Sequence, residues 1–537
     1  MIKKPHPPHH RDAEEPSKQR LPEAQKVAAS KLGMIATAHF LATEAGVEIL
    51  QEGGNAIDAA VAAAFSLGVC EPAASGIGGQ SMLLIYDASS RRKIALDGSS
   101  RAPHRVPPGE LPREQRFRGH RATTVPSTPA ALGYALKTYG TLPLSRILEP
   151  AIRIAERGYP LSQLQHDLTK REREHLANGT ASPFFLKDGK HLYRVGEKIR
   201  QPVLANTLRR LAQAGVDDFY HGEIAQAIVR DMANHDGLIQ EDDLAQIPWP
   251  IERRPLATWF HKHRVFTMGP PGAGRVLIEM LNVLDRFSAE RWHPDTPEGA
   301  LLLAEVIRRG QMDRKDRPYD PQYYPQISGG RMTNPDYAKE VAAEIIEEIQ
   351  PGKGETTHLS VMDSQGNAVG LTQSIERVYG SYCASPELGF LYNNYMSAFE
   401  YSNIKHPYYL RPNAAPWGSV APTIVFRGRK PWAVLGSPGS ERIASTVAQV
   451  LMRLEKESPY EAVDAPRLHC SINDVASLEA PRMRDDIPPF LRDHGFEVNE
   501  RDAYSFFHGC VALVLREQKE FIGVADPRRN GSAGGPH

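Results

Sequence analysis

The chain has few cysteines. Cys70, Cys383, Cys470 and Cys510 are scattered through 537 residues with no metal-ligand spacing. They read as free, partly buried thiols in a reducing compartment. Net charge is also missing: Lys+Arg and Asp+Glu each number 64, so no overall field draws the chain to nucleic acid or an anionic membrane. No apolar run reaches the length of a membrane span. Residues 1–26, rich in Pro, His and charge, lack the hydrophobic segment of a secretory signal and read as a disordered tail. Cytoplasmic residence is the expectation. Two active-site motifs are absent as well. Gly436-Ser437-Pro438-Gly439-Ser440 is not the Gly-x-Ser-x-Gly of a serine nucleophile elbow. Gly269 to Arg275 lacks the Gly-Lys-Ser/Thr of a phosphate loop and reads as a turn before a helix. No metal and no cofactor is expected.

The rest is an ordinary globular composition, 41% hydrophobic and 24% charged. Its length exceeds a single core, so two lobes or one large layered domain are expected. Ala42–Leu50 and Asn55–Leu67 are Ala-rich helical patterns separated by Gly53-Gly54. Ser81–Tyr86 and a run ending at Leu96 read as strands. Residues 126–230 are mostly helical, with Pro143–Arg157 and Ile224–Ala233 as examples, and Trp249–Arg254 reads as a Pro-rich break. Further helices are read at Val276–Phe287, Tyr337–Ile349 and Arg442–Leu454, and strands at Pro422–Phe426 and Ala433–Leu435. Pro351-Gly352-Lys353-Gly354 is an exposed, flexible approach to the strand pattern that begins at Thr356. Strands early and late with helices between suit an α+β layered architecture.

The most informative stretch begins at Thr356. Thr356–Asp363 and Ala368–Glu376 alternate apolar and polar residues around a Gly- and Asn-containing turn, the pattern of a β-hairpin. Leu359, Val361, Val369, Leu371 and Ile375 form a core face; Thr356, His358, Ser360, Thr372, Ser374 and Glu376 form a polar one. A turn closing between Asp363 and Asn367 sets Ser374 opposite Thr356, with Cβ atoms about 5 Å apart, and Glu376 two residues further on the same face. From the hairpin alone, this group is either a structural hydrogen-bond cluster or a chemical site.

Several segments in one order resemble a known family. Glu355-Thr356-Thr357-His358-Leu359-Ser360-Val361-Met362-Asp363 is similar to the self-cleavage junction of γ-glutamyltranspeptidases. Gly53-Gly54-Asn55-Ala56-Ile57-Asp58, Glu71-Pro72, Ser75-Gly76-Ile77-Gly78-Gly79, Leu391-Tyr392-Asn393-Asn394 and Gly436–Ile443 agree, and the likeness runs from Val27 to Arg528. The resemblance implies the four-layer αββα sandwich of N-terminal nucleophile hydrolases. It also implies cleavage between Glu355 and Thr356, so that segments 27–355 and 356–537 remain one core as a self-derived heterodimer, with a dimer of these pairs as a further association.

A Thr hydroxyl needs a base within reach. The α-amino group exposed by cleavage would be that base, its ordinary pKa being about 7.7–8.0. The resemblance assigns Thr356 as nucleophile, Thr357 and Ser374 as its hydrogen-bonding neighbours, and the N–H groups of Gly439 and Ser440 as oxyanion donors. Ser440 stands where the family has Gly, and a Cβ there is strained if φ is positive.

In substrate binding the chain departs from its relatives. Arg101 matches the family's carboxylate-binding Arg, and Gly418-Ser419 replaces a Ser-Ser pair. Glu376 replaces an Asn that contacts the α-amino group. Tyr395 and Ala398 replace the Gln and Asp that hold it. Glu376 would restore a negative partner for an ammonium group, as in the capsule-depolymerase branch; alternatively the acyl group carries no amino substituent, as in the cephalosporin-acylase branch. The stretch from Phe399 to Pro412 is shorter than the usual lid, which favours water over an acceptor amine. Three functions are thus in play. One is hydrolysis of small-molecule γ-glutamyl amides, glutathione among them. The second is a glutaryl- or cephalosporin-type acylase on the same scaffold, and the third a non-catalytic binding protein.

Overall fold

The computed structural model describes residues 25–246, 250–288, 293–316 and 356–537. The helix read at Tyr337–Ile349, the approach at 351–354, Glu355, Trp249 and all but the end of the tail lie outside the described residues.

Two seven-stranded antiparallel sheets form the centre. Their strands are β1 (Val27–Ser30), β2 (Gly33–Thr37), β3 (Gln80–Asp87), β4 (Arg92–Gly98), β5 (Ile251–Arg253), β6 (Leu256–Phe260), β7 (His263–Thr267), β8 (Thr357–Asp363), β9 (Ala368–Ser374), β10 (Thr423–Arg427), β11 (Lys430–Gly436), β12 (Ala512–Glu517), β13 (Glu520–Ala525) and β14 (Ser532–Gly534). One sheet runs β1-β13-β12-β11-β10-β7-β6; the other runs β14-β2-β8-β9-β3-β4-β5. The break expected at Trp249–Arg254 thus contains the edge strand β5, and β6 and β7 interrupt the helical middle of the chain. No strong period-2 pattern marks that stretch, because β5 and β6 are edge strands with part of each face in solvent.

Helices cover both outer faces. Over the β8 sheet lie α1 (Phe40–Gln51), α2 (Ala56–Cys70), α3 (Thr128–Tyr139), α4 (Leu144–Arg157) and α5 (Pro202–Ala214); over the other lie α6 (Gly274–Leu284), α7 (Pro297–Asp316) and α8 (Arg442–Arg453). The α1–α2 turn is written into the sequence. Asn55 accepts from the N–H groups of Ile57 and Asp58, while Asp58 accepts from the Asn55 N–H, a capping box that starts α2 directly after Gly53-Gly54. Small Ala side chains then let α2 lie close to α1 and α4, and nearly all of it is buried. The result is an αββα sandwich.

The β8–β9 hairpin has the expected register, Thr357 opposite Gln373 through Met362 opposite Ala368. Its turn closes with Asp363 N–H on the Asn367 carbonyl and Gly366 at φ +96°. Leu359, Val361, Val369 and Leu371 face the helices. The polar face is not a surface, however: both strands are buried throughout, and the even-numbered side chains point at the second sheet. The polar groups survive there by bonding one another. His358 Nδ1 is 2.8 Å from Thr372 Oγ1 and its Nε2 3.1 Å from Ser360 Oγ, which donates to the Ala512 carbonyl. Burial drives the His358 pKa down to about 3, so the ring is neutral. Gly436 makes room for it, since a Cβ there would lie 2.4 Å from His358 Cε1. All four cysteines are unpaired and buried. No helix among the described residues is long and apolar enough to cross a membrane.

A buried charge network pins the C-terminal segment. Arg528 donates to Glu479 (2.7 and 2.5 Å) and to Asp526 (3.1 Å), and Arg467 pairs with Asp526 at 2.6 Å, each side chain at most 2% exposed. Two cations meet two anions, so removing one partner strands a charge. Arg528→Met is expected to cost about 3–5 kcal/mol, read as a lower urea midpoint at constant slope; a midpoint within error of wild type would contradict it. Despite burial, which acts to raise it, Arg467 and Arg528 hold the Asp526 pKa down to about 2. Its stabilisation is therefore present above its unfolded value of about 3.9 and lost as pH falls through 2.

Candidate active site

The start of β8 is fixed from below by charge. Thr356 is 4% exposed. Its carbonyl accepts from Arg529 Nη1 at 3.4 Å, and the same nitrogen lies 3.4 Å from Glu71 Oε1. The other Glu71 oxygen accepts from the Thr357 hydroxyl at 2.6 Å. Three distant parts of the chain thus converge on one dipeptide: Glu71 just after α2, Arg529 next to the buried network, and the strand itself. Neither Glu71 nor Arg529 was assigned a role from sequence. The signals in the sequence are Glu71-Pro72, within a matching segment, and Asp526-Pro527-Arg528, where the likeness ends one residue before Arg529; neither carries chemistry on its own.

One step beyond the Thr357–Gln373 pair, the ladder sets Thr356 against Ser374. Here the strand ends. The Ser374 hydroxyl accepts from the Glu376 N–H at 2.8 Å, and Glu376 takes φ +78°, a left-handed conformation disfavoured for any residue but Gly. The chain therefore turns off the sheet instead of continuing along the polar face. Glu376 is carried into a cavity of about 400 Å³ that Arg314, Trp417, Ser419, Ser440 and Ala398 also line. Burial holds the Glu376 carboxyl up to about 7, against the pull of Arg377 and Arg314. Tyr395 is buried, and burial, with the nearby Glu376 charge, pushes its hydroxyl pKa up so that the proton is retained.

The turn before α8 has the strain read from its sequence. Gly439 has φ +118° and Ser440 φ +53°. Their carbonyls accept from Arg442 and Ile443 at 3.1 and 2.9 Å. Their N–H groups meet no protein acceptor among the described residues. Two adjacent unfilled N–H donors at a glycine turn are what a developing oxyanion requires. Ser440 Oγ lies 3.4 Å from Ser419 Oγ. Gly418 is held by its N–H on the Pro271 carbonyl, so the Gly269–Arg275 segment serves as a turn that supports this wall.

Of the residues singled out from sequence, Glu376, Ser419, Ser440 and Ala398 line the cavity. Ser374, Tyr395, Gly418 and Gly439 adjoin those residues without lining it, and Thr356 and Thr357 do not line it either. Arg101 is 6% exposed, its backbone bridged to Val125 and its Nη1 3.5 Å from the Ser100 carbonyl; like Thr356, Ser374 and Tyr395 it does not line the cavity. Arg314 does line it. Two imidazole–carboxylate clusters, His120–Asp231–His235 and His293–Asp295–Glu457, lie elsewhere. In the first, the His235 Nδ1 bond to the Asp231 carbonyl at 2.9 Å and the His120–Asp231 contact at 3.1 Å describe a hydrogen-bonded ion pair.

Two antiparallel sheets packed between helical layers form the αββα sandwich of the N-terminal nucleophile hydrolase class. Residues 42–535 match the Gamma-glutamyltranspeptidase family, and the chain belongs to that family of hydrolase/transferase enzymes. It is 32% identical to the glutathione hydrolase proenzyme of Escherichia coli (strain K12), covering 93% of this chain and 91% of that one. It is also 32% identical to the acylase ACY 1 proenzyme of Pseudomonas sp. (strain SE83), covering 83% of each. The solved structure of cephalosporin acylase from Bacillus halodurans superposes with a TM-score of 0.88 at 28% identity, covering 98% of this chain and 99% of that one.

Proposed function

We propose that the protein cleaves itself before Thr356 and then hydrolyses γ-glutamyl amides with the Thr356 hydroxyl as nucleophile. The observation that carries this reading lies at the start of β8: Thr356 is clamped through its carbonyl by Arg529 one step beyond the Thr357–Gln373 pair, and Ser374 turns the chain to Glu376, which shares a cavity wall with Ser440 of the glycine turn. In the precursor the hydroxyl attacks the Glu355 carbonyl, the peptide C–N bond breaks, and water hydrolyses the resulting ester. The freed α-amino group then takes the Thr356 hydroxyl proton as oxygen attacks the substrate amide. Negative charge develops on the carbonyl oxygen at the Gly439–Ser440 turn. Collapse expels the amine, which leaves with the proton from the α-ammonium. Water, activated by the same amine, cleaves the acyl ester and returns the enzyme.

Two features favour hydrolysis over transfer to an amine. The segment after Phe399 is short, and its tip, residues 402–405, is exposed and does not line the cavity. Glu376 supports a γ-glutamyl over a plain acyl group, because a carboxylate in that wall matches an α-ammonium. The acylase reading remains the alternative: Tyr395 and Ala398 supply no second anion, and acylases are among the relatives.

Intact-mass analysis is expected to find chains 1–355 and 356–537 in the wild type and one uncut chain in Thr356→Ala. Full-length wild type after prolonged incubation would refute the self-cleavage. The Glu376 assignment has its own pH signature. Comparing γ-glutamyl with glutaryl anilides cancels the titration of the Thr356 amine, which serves both. With Glu376 near 7, the ratio of kcat/KM values should rise roughly tenfold from pH 6 to 8, and Glu376→Gln should flatten it. A flat wild-type ratio would remove Glu376 as the ammonium partner.

A further inference from the structure

The clamp at the start of β8 is a pair of opposite charges closed on one dipeptide. Glu71 caps the end of α2, its N–H on the Leu67 carbonyl, so a helix end carries its carboxylate. Arg529 is equally fixed: its guanidinium lies 4.3 Å from the centroid of the Phe506 ring, its carbonyl accepts from Lys26 Nζ at 2.8 Å, and its side chain is 1% exposed. The two meet at 3.4 Å, Arg529 donating to the Thr356 carbonyl and Glu71 accepting from the Thr357 hydroxyl. The Thr356 nitrogen is two bonds from its carbonyl carbon, so a free amine there lies within about 7 Å of the guanidinium. At that separation in a largely buried site, one unit charge moves the pKa of an amine by about one or more.

The neighbouring groups do not replace either charge. Burial drives the His39 pKa down to about 4 and pushes the thiols of Cys70 and Cys510 up, so all three are neutral. Lys26 is tied to the carbonyls of Asp526, Arg529 and Gly531, and Asp526 is matched by Arg467 and Arg528. Glu376 follows Ser374 on the cavity wall.

We propose that Glu71 and Arg529 are positioning residues that hold Thr356 and set, by their opposed charges, the proton affinity of the α-amine freed by self-cleavage. This rests on the hydrolase reading above. Arg529 disfavours the ammonium form and so keeps the amine a free base near neutral pH. Glu71 pulls the other way and, through the Thr357 hydroxyl, fixes the strand end on which both act. Without Arg529 the amine faces an unbalanced carboxylate; without the Glu71 charge it faces an unbalanced guanidinium. The two losses act with opposite sign, which a role in packing alone does not produce.

The acid limb of kcat/KM against pH, measured on the faster of the γ-glutamyl and glutaryl anilides, reads the amine. Glu376 is unchanged in every variant and contributes equally to all of them. Arg529→Gln is expected to move the limb up by about one pH unit and Glu71→Gln to move it down by about as much. The double variant should fall between them, and Arg529→Lys, which keeps the charge, should hold the wild-type position. Self-cleavage, read by intact mass, and the urea midpoint report whether each variant folds. If one Gln variant stays uncut, the other decides; if both do, Arg529→Lys decides, and an uncut or shifted Arg529→Lys overturns the proposal. Gln variants whose limbs coincide with wild type, or move in the same direction, overturn it too. A wild type that cleaves neither itself nor either anilide overturns the hydrolase reading with it. Wild-type turnover with unmoved limbs overturns only the assignment to Glu71 and Arg529.

Discussion

Strand β8 is hydrogen-bonded along both edges, and the geometry of the site depends on that ladder. On one side it pairs with β2, Leu359 opposite Thr37 through Asp363 opposite Gly33; on the other it pairs with β9. A one-residue slip would turn His358 and Ser360 toward the helices and Leu359 toward the second sheet. The polar cluster His358–Thr372–Ser360 would then lose its partners inside a dry interior, so the register resists error from both faces. Thr356 inherits its position from this arrangement. β2 precedes the proposed cut and β14, from the far end of the chain, pairs with β2. A cut before Thr356 would therefore leave the two segments interleaved in one sheet.

Compensated charge completes what the ladder begins. Arg528 is locked between Glu479 and Asp526, and the next residue, Arg529, reaches Thr356 and Glu71. The stability of the C-terminal segment and the placement of the proposed nucleophile are one problem. The cavity repeats the device more loosely. Arg314 is faced by Glu376 and Glu441 and tied to Ser419.

Much of this was legible from residue order. The hairpin, its turn and its register follow from the alternation around Asp363–Asn367, because cross-strand pairing is set once the turn closes. The strain at Ser440 follows from a Ser in a glycine turn, and φ +53° bears that reading out. Other features depend on tertiary placement. The even-numbered face of β8 reads as a chemical surface, yet a second sheet covers it, and alternation cannot distinguish solvent from a polar interior. Glu376 reads as a continuation of β9, but the Ser374 hydroxyl captures its N–H and turns the chain. Arg314 sits in an amphipathic helix where a basic residue ordinarily means solvent. Its place on the cavity wall appears only when Trp417 and Ser419, about a hundred residues on, come alongside.

The central claim is that the Thr356 hydroxyl carries the acyl group. Rapid acid quench during turnover of a slow anilide, followed by peptide mapping, measures this directly. The account predicts an acyl ester on a peptide whose first residue is Thr356, accumulating before the steady state. An active enzyme that carries its adduct on Ser374, Ser437 or Ser440, with Thr356 unmodified, would contradict it.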